Sequence, residues 1–183
     1  MVSDRKRAKD IKLWEASQSR KNSSNMMTFM KEMSSKFYIK EKNWESLHDW
    51  STRDLAAFWK ELAYFSSIIW QEKPKESVIF KRGSFINTSK WFEGYKLNYA
   101  ENLLNGKSTD IILTFLQENG SKATYTRGVV LNLVQRYAFL LRKLKVKKGD
   151  HVLGVVTNGL EALVSMLAVT SLGAVWSSCS PDF

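Results

Sequence analysis

The chain holds 183 residues, 44% of them hydrophobic and 25% charged, a composition that suits a globular protein with length for one ordinary domain and excludes a wholly disordered or fibrous chain. Net charge is +10, but residues 1–42 carry eleven Lys/Arg against five Asp/Glu while the remainder carries seventeen against thirteen, so the basic excess sits at the amino-terminal end. The single cysteine, Cys179, excludes an intrachain disulfide and a cysteine metal cage and fits a reducing, cytoplasmic setting.

In chain order, residues 1–22 read as a basic polar arm. Its mixed signs suit a solvated leader or docking segment better than a reader of phosphate backbones, so no nucleic-acid partner is expected. The basic residues of 1–12 have no apolar run behind them and are accompanied by acids, so no targeting signal is expected either. A Met- and Phe-containing helix is predicted over about 24–37. Ser51 and Asp54 stand at N-cap and N3 spacing ahead of Leu55, Phe58, Trp59, Leu62, Phe65 and Ile69, which predicts one apolar helical face. Residues 70–96 read as irregular and basic. Asn98 with Glu101 at N3 predicts a short helix ended by Asn105-Gly106, and a boundary falls near residue 107.

Beyond it, 111–116 reads as a strand, 118–121 as a turn and 123–126 as the returning strand. A helix follows, with apolar residues at Val130, Leu133, Val134, Tyr137, Leu140, Leu141 and Leu144, then a turn at Lys148-Gly149-Asp150. Residues 152–156 form a continuous apolar strand, 160–172 a helix apolar nearly all round, and 174–178 another strand. That rhythm predicts a βαβ unit of a parallel sheet covered on both faces. The stretch 152–176 is 25 residues long with Glu161 as its only formal charge, but Gly154, Thr157-Asn158-Gly159 and Gly173 divide it into strand, helix and strand, so no membrane span is expected.

The phosphate-loop, dinucleotide, nucleophile-elbow and H-E-x-x-H motifs are all absent from the sequence. His48 and His151 fall in different elements and read as surface or capping residues. Cys179 has no identifiable partner base. In open parallel sheets, ligands bind beyond the carboxyl ends of the strands, which here are Thr157-Asn158-Gly159 and residues 177–183. The second segment gathers three hydroxyls, a carboxylate and a proline-fixed turn; it reads as a ligand loop or as an ordinary strand exit. Asn158 and Glu161 have N-cap and N3 spacing, so the helix amino terminus points to the same edge, as an anion site or simply a cap.

The segment Gly173-Ala174-Val175-Trp176-Ser177-Ser178-Cys179-Ser180-Pro181-Asp182-Phe183 resembles the one that marks acetoacetyl-coenzyme A synthetases, adenylate-forming ligases of the acyl-coenzyme A synthetase superfamily. Trp91-Phe92-x-Gly94-x-x-Leu97-Asn98-Tyr99-Ala100-Glu101-Asn102-Leu103-Leu104 is similar to the amino-terminal signature of the same branch, and the resemblance covers about 25–183. It implies a fold class of α/β, with a helical amino-terminal region followed by the first βαβ portion of an incomplete parallel-sheet adenylate-forming domain. It also implies three segments: the arm 1–22, an acyl-coenzyme A synthetase amino-terminal region 23–106, and the start of an AMP-binding domain 107–183.

The family joins acetoacetate to coenzyme A through an acyl-adenylate, using ATP and Mg²⁺. The resemblance places Ser180, Pro181, Asp182 and Phe183 along the passage for the pantetheine arm of coenzyme A. It assigns no catalytic residue or metal ligand here, because the family's phosphate loop, ribose-binding Asp, acidic Mg²⁺ ligand and catalytic Lys fall beyond Phe183. The chain ends inside the motif, which suggests a truncated reading frame or an imposed boundary, and an inactive chain that binds no cofactor tightly and associates through an open sheet edge.

Three departures from the family pattern, at Arg127-Gly128, Lys145 and Thr157-Asn158-Gly159-Leu160-Glu161, are expected to loosen local structure. The rival readings are a non-catalytic, basic, aromatic-rich interaction module and a small membrane protein spanning 152–176.

Overall fold

A computed structural model describes residues 13–40 and 43–182. The expected arm falls mostly outside them, but its last turn, Gln18–Asn22, is helical (α1) and capped by Ser17. The backbone divides into two compact units, 1–66 and 67–183.

The first unit is helical. The predicted Met-rich helix is Asn25–Lys36 (α2), with Ser24 accepting from the Met27 N–H at 3.2 Å. A helix that was not predicted, Trp44–Arg53 (α3), begins at the Asn43 cap, and Leu55–Phe65 (α4) follows at once. Ser51 therefore lies inside α3, where its hydroxyl donates to the His48 carbonyl at 2.7 Å; Asp54 is the cap of α4, accepting from the Ala57 N–H at 3.0 Å. The expected Ser51/Asp54 box is corrected to a single aspartate that ends one helix and starts the next.

Phe29, Met30, Met33, Leu47 and Trp50 are buried, with Phe58, Leu62 and Phe65 packed on them. Ile69, assigned to this face from its spacing, does not join it. Helix α4 stops at Phe65 and Ser67 turns to φ +52°. Glu61 is buried and pairs with the Lys36 ammonium at 2.7 Å; the carboxylate lost to water is compensated at one oxygen by a charged donor.

The second unit opens with a small antiparallel hairpin of Phe80–Lys81 (β1) and Lys90–Trp91 (β2) in the stretch read as irregular. Tyr99–Leu103 (α5) is capped by Asn98, whose side chain accepts from the Glu101 N–H at 3.1 Å as predicted. Ile111–Leu116 (β3) and Lys122–Thr126 (β4) form the predicted antiparallel pair. The register shifts between Ile111 and Leu113, and Ile112 packs against the core.

Arg127–Lys143 (α6) buries Val130, Val134 and Ala138. Its predicted face drifts: Tyr137, Leu140 and Leu144 are exposed, because the i, i+4, i+8 row that meets the core leaves them to one side.

His151–Val155 (β5), Leu160–Ser171 (α7) and Val175–Cys179 (β6) make the predicted βαβ unit, with β5 and β6 parallel and in register from His151↔Val175 to Val155↔Cys179. Val164, Leu167, Ala168 and Val169 on α7 are at most 1% exposed. The expectation of two covered faces is corrected. Leu153, Val155 and Val175 are exposed, since one crossover helix covers one face of a sheet and no described element covers the other.

Asn98 connects these pieces. While its carbonyl oxygen caps α5, its amide nitrogen donates to the Thr170 and Ser171 carbonyls at 3.1 and 3.2 Å, at the end of α7. Asn102 one turn on donates to the Ile69 carbonyl at 3.0 Å and accepts from the Ile69 N–H at 2.8 Å. Two asparagines of the amino-terminal signature thus satisfy helix-end and loop backbone groups.

Replacing Asn98 by Ala removes a cap and leaves two carbonyls short of donors, a loss of about 2–3 kcal/mol from the second unit. Asn98→Asp keeps the cap acceptor, removes the donors and should recover only part of the loss. Denaturant titration followed by circular dichroism measures both.

Candidate functional site

Because β5 and β6 run parallel and Val155 stands opposite Cys179, the loops that leave them start at the same level of one sheet edge. The ladder runs one bond further, with the Val156 N–H donating to the Cys179 carbonyl at 3.1 Å. Thr157-Asn158-Gly159 then turns into α7, and Ser180-Pro181-Asp182 continues from β6.

Residues 180–182 form a closed turn. The Ser180 hydroxyl donates to Asp182 Oδ2 at 2.8 Å and accepts from the Asp182 N–H at 3.3 Å, with Pro181 fixed between them. Ser180 is half-buried; Pro181 and Asp182 are exposed. The turn thus presents a carboxylate already oriented by a hydroxyl, directly after the last strand, β6. Phe183 lies outside the described residues.

The amino terminus of α7 differs from its sequence reading. The N-cap is Gly159, with no side-chain capping bond, and not Asn158. The glycine donates its N–H to the Thr157 carbonyl at 2.9 Å, so the chain turns one residue later than the Asn158/Glu161 spacing implies.

The strand behind the site is shaped by one close approach. A Cβ on Gly154 would fall 2.2 Å from the Trp176 ring; the six-membered ring of the indole occupies a space that only glycine leaves open.

His48 is exposed on α3 and His151 on β5, matching their reading as surface residues. Cys179 is exposed at the far end of the ladder from His151, about 13 Å along the strand direction, so this imidazole is no base for that thiol. Among the described residues no group of three His, Cys, Asp or Glu side chains gathers as a cation site.

A cavity of about 480 Å³ that the sequence did not signal is lined by Asn98, Glu101, Leu104, Gln135, Arg142 and Ser171, among others. It lies beside the carboxyl end of α7, about 18 Å along the helix from the candidate loops, and is separate from them.

The chain that carries this parallel βαβ edge, its Ser-Pro-Asp turn and its asparagine-tied helical lead-in is similar to known proteins. Residues 44–103 match the family model described as acetyl-coenzyme A synthetase N-terminus. Over those residues the chain is similar to the amino-terminal region of that family.

Within that family its similarity is to acetoacetyl-CoA synthetases, in their amino-terminal part. It is 39% identical over 143 residues to that of Rattus norvegicus, covering 77% of this chain and 21% of the relative. It is 35% identical over 175 residues to that of Gallus gallus, covering 93% and 26%. The solved acetoacetyl-CoA synthetase from Streptomyces lividans superposes with a TM-score of 0.78 at 27% identity, over 93% of this chain and 26% of that one. The chain therefore spans about a fifth to a quarter of the length of the relatives it matches.

Gly154→Ala should force the Trp176 indole off the strand, cost about 1–3 kcal/mol and loosen the 180–182 turn that follows. Near-ultraviolet dichroism and thermal unfolding read the change; an unaltered tryptophan signal would contradict it.

Proposed function

We propose that these residues are the amino-terminal portion of a ligase that joins acetoacetate to coenzyme A, with ATP cleaved to AMP and pyrophosphate, in the cytoplasm. The observation that carries this reading is the combination of identity to acetoacetyl-CoA synthetases over most of the chain with a Ser180-Pro181-Asp182 turn at the carboxyl edge of a parallel sheet. In such a ligase the acetoacetate carboxylate attacks the α-phosphorus of ATP, pyrophosphate leaves, and the coenzyme A thiol then displaces AMP.

The role of this chain is in the last partner. Ser180, Pro181 and Asp182, with Phe183 beside them, line the passage for the pantetheine arm. Pantetheine carries two amides, and the Ser180 hydroxyl, the Asp182 carboxylate and the loop backbone supply polar partners for them on a turn already held by its own hydrogen bonds. For ATP and Mg²⁺ these residues offer no matching donor set, and no step through either is assigned to them. The segments 23–106 and 107–183 are then the amino-terminal region and the start of the AMP-binding domain.

By themselves the 183 residues are catalytically incomplete, since adenylation requires phosphate and metal ligands held in place. The isolated chain should give no acetoacetate-dependent ATP–pyrophosphate exchange above a heat-killed control, and calorimetry should find coenzyme A binding weaker than micromolar, because one loop supplies part of a site and bears its full ordering cost. Exchange activity or micromolar affinity would overturn this reading. The uncovered face at Leu153, Val155 and Val175 leads the same preparation to elute as an oligomer in size-exclusion chromatography; a sharp monomer peak would count against it.

A further inference from the structure

The β1–β2 hairpin stands outside the site described above, and its tip has an unusual surface. Five consecutive residues, 84–88, are exposed, and at their centre Phe85 and Ile86 are 73% and 84% open to solvent. Large adjacent side chains left this open on a convex turn contribute nothing to the core of their own unit.

The turn is nonetheless well held. The Phe85 carbonyl accepts from the Thr88 and Ser89 N–H groups, both at 3.1 Å, the Phe85 N–H donates to the Thr88 hydroxyl at 3.0 Å, and the Gly83 N–H donates to the Ser89 hydroxyl at 3.0 Å. A Cβ on Gly83 would lie 2.2 Å from Thr88 Oγ1, so the two sides of the loop are in contact. Phe85 and Ile86 are therefore presented by a loop that has already given up much of its conformational freedom.

Charge surrounds the tip. Lys81 and Lys90 stand opposite each other in the strand register, an arrangement of like charges that destabilises a hairpin in isolation, and Arg82 follows Lys81. Glu93 offsets one of the three; its carboxyl is held below the usual carboxylate range by the hydrogen bond from Lys90 and by the charges of Lys90 and Lys81. Behind the cations, Phe80 and Trp91 pair across the strands with ring centroids 5.1 Å apart.

We propose that this hairpin docks on an anionic bilayer surface, with Phe85 and Ile86 entering the headgroup–acyl boundary and Lys81, Arg82 and Lys90 facing anionic headgroups. The order along the hairpin, apolar tip and then cations, follows the order of acyl boundary and anionic headgroups at a membrane surface, while the aromatic pair behind the cations holds the two strands together. A protein partner fits less well, because two side chains on a convex turn are far short of the area a stable protein interface buries, whereas lipid flows around a protruding tip. No membrane partner was expected from the sequence. No helix among the described residues is long and apolar enough to cross a membrane, and a surface contact needs none.

The test is co-sedimentation of the full chain with vesicles of phosphatidylcholine alone or mixed with phosphatidylserine. Binding is expected to the mixed vesicles only. The F85S/I86S pair should weaken it about tenfold or more, and K81Q/K90Q by about tenfold with a reduced salt dependence. Neither pair should change the thermal unfolding profile. F85L/I86L, which keeps the apolar tip, should bind as the parent chain does, as should F139S at an exposed phenylalanine on α6. Absence of a preference for anionic vesicles overturns the proposal. So does undiminished binding by F85S/I86S, which would assign adsorption to the basic amino-terminal stretch, and so does loss of binding in F85L/I86L.

Discussion

Helix α7 has no polar face to give to solvent, and the second unit is arranged around that fact. Val164, Leu167, Ala168 and Val169 are all but inaccessible, so α7 requires cover from α6 and α5 on one side and from β5 and β6 on the other. A helix buried this way also has to satisfy backbone groups at its ends without water. At the carboxyl end Asn98 does so with two donated hydrogen bonds, while the same side chain caps α5. Once α7 is fixed, β5 and β6 are fixed beside each other, and the loops at 157–159 and 180–182 emerge from one edge. The candidate site is thus a consequence of how an apolar helix is covered.

What could be read from the sequence follows from the same physics. Elements whose pattern is set by burial were legible: β3, β4, β5, α7 and β6 all lie within two residues of the bounds their pattern implies, α6 spans all but the last of the apolar positions read for it, and the topological rule for parallel sheets located the loop edge. Features that depend on partners distant in sequence were not. Nothing in the spacing of Asn98 says that its amide reaches Thr170 and Ser171, and Ser51 and Asp54 fit a capping box until α3 claims Ser51. Helix α3 escaped notice because only Trp44, Leu47 and Trp50 mark its face over ten residues. The hairpin tip escaped because an isolated Phe-Ile pair among turn residues has no period.

The departures from the family pattern illustrate how far local rules carry. The Arg127-Gly128 departure is expected to loosen the start of α6. With Thr126 as N-cap Arg127 is the first helical residue, where its guanidinium donates to the Leu103 carbonyl at 3.1 Å and lies 3.9 Å from the Asp110 carboxylate. Gly106 makes room for it: a Cβ there would fall 2.8 Å from Arg127 Nε. Gly128 packs against Ser108 and donates its N–H to the Ser108 carbonyl at 2.8 Å. Both residues tie α6 to the preceding loop instead of loosening it. Lys145 behaves as read: it holds the left-handed position after α6 at φ +64°, a conformation that costs a residue with a Cβ about 1 kcal/mol.

If coverage of α7 orders the unit, its amides are the last to open. Hydrogen–deuterium exchange on the intact chain, resolved by mass spectrometry of peptides, tests this directly. Slowest exchange is expected across α7 and its partners in α6, with rapid exchange at the 157–159 and 180–182 loops. Exchange across α7 as fast as at those loops would mean that the helix is not the element on which the sheet edge and its Ser180-Asp182 turn depend.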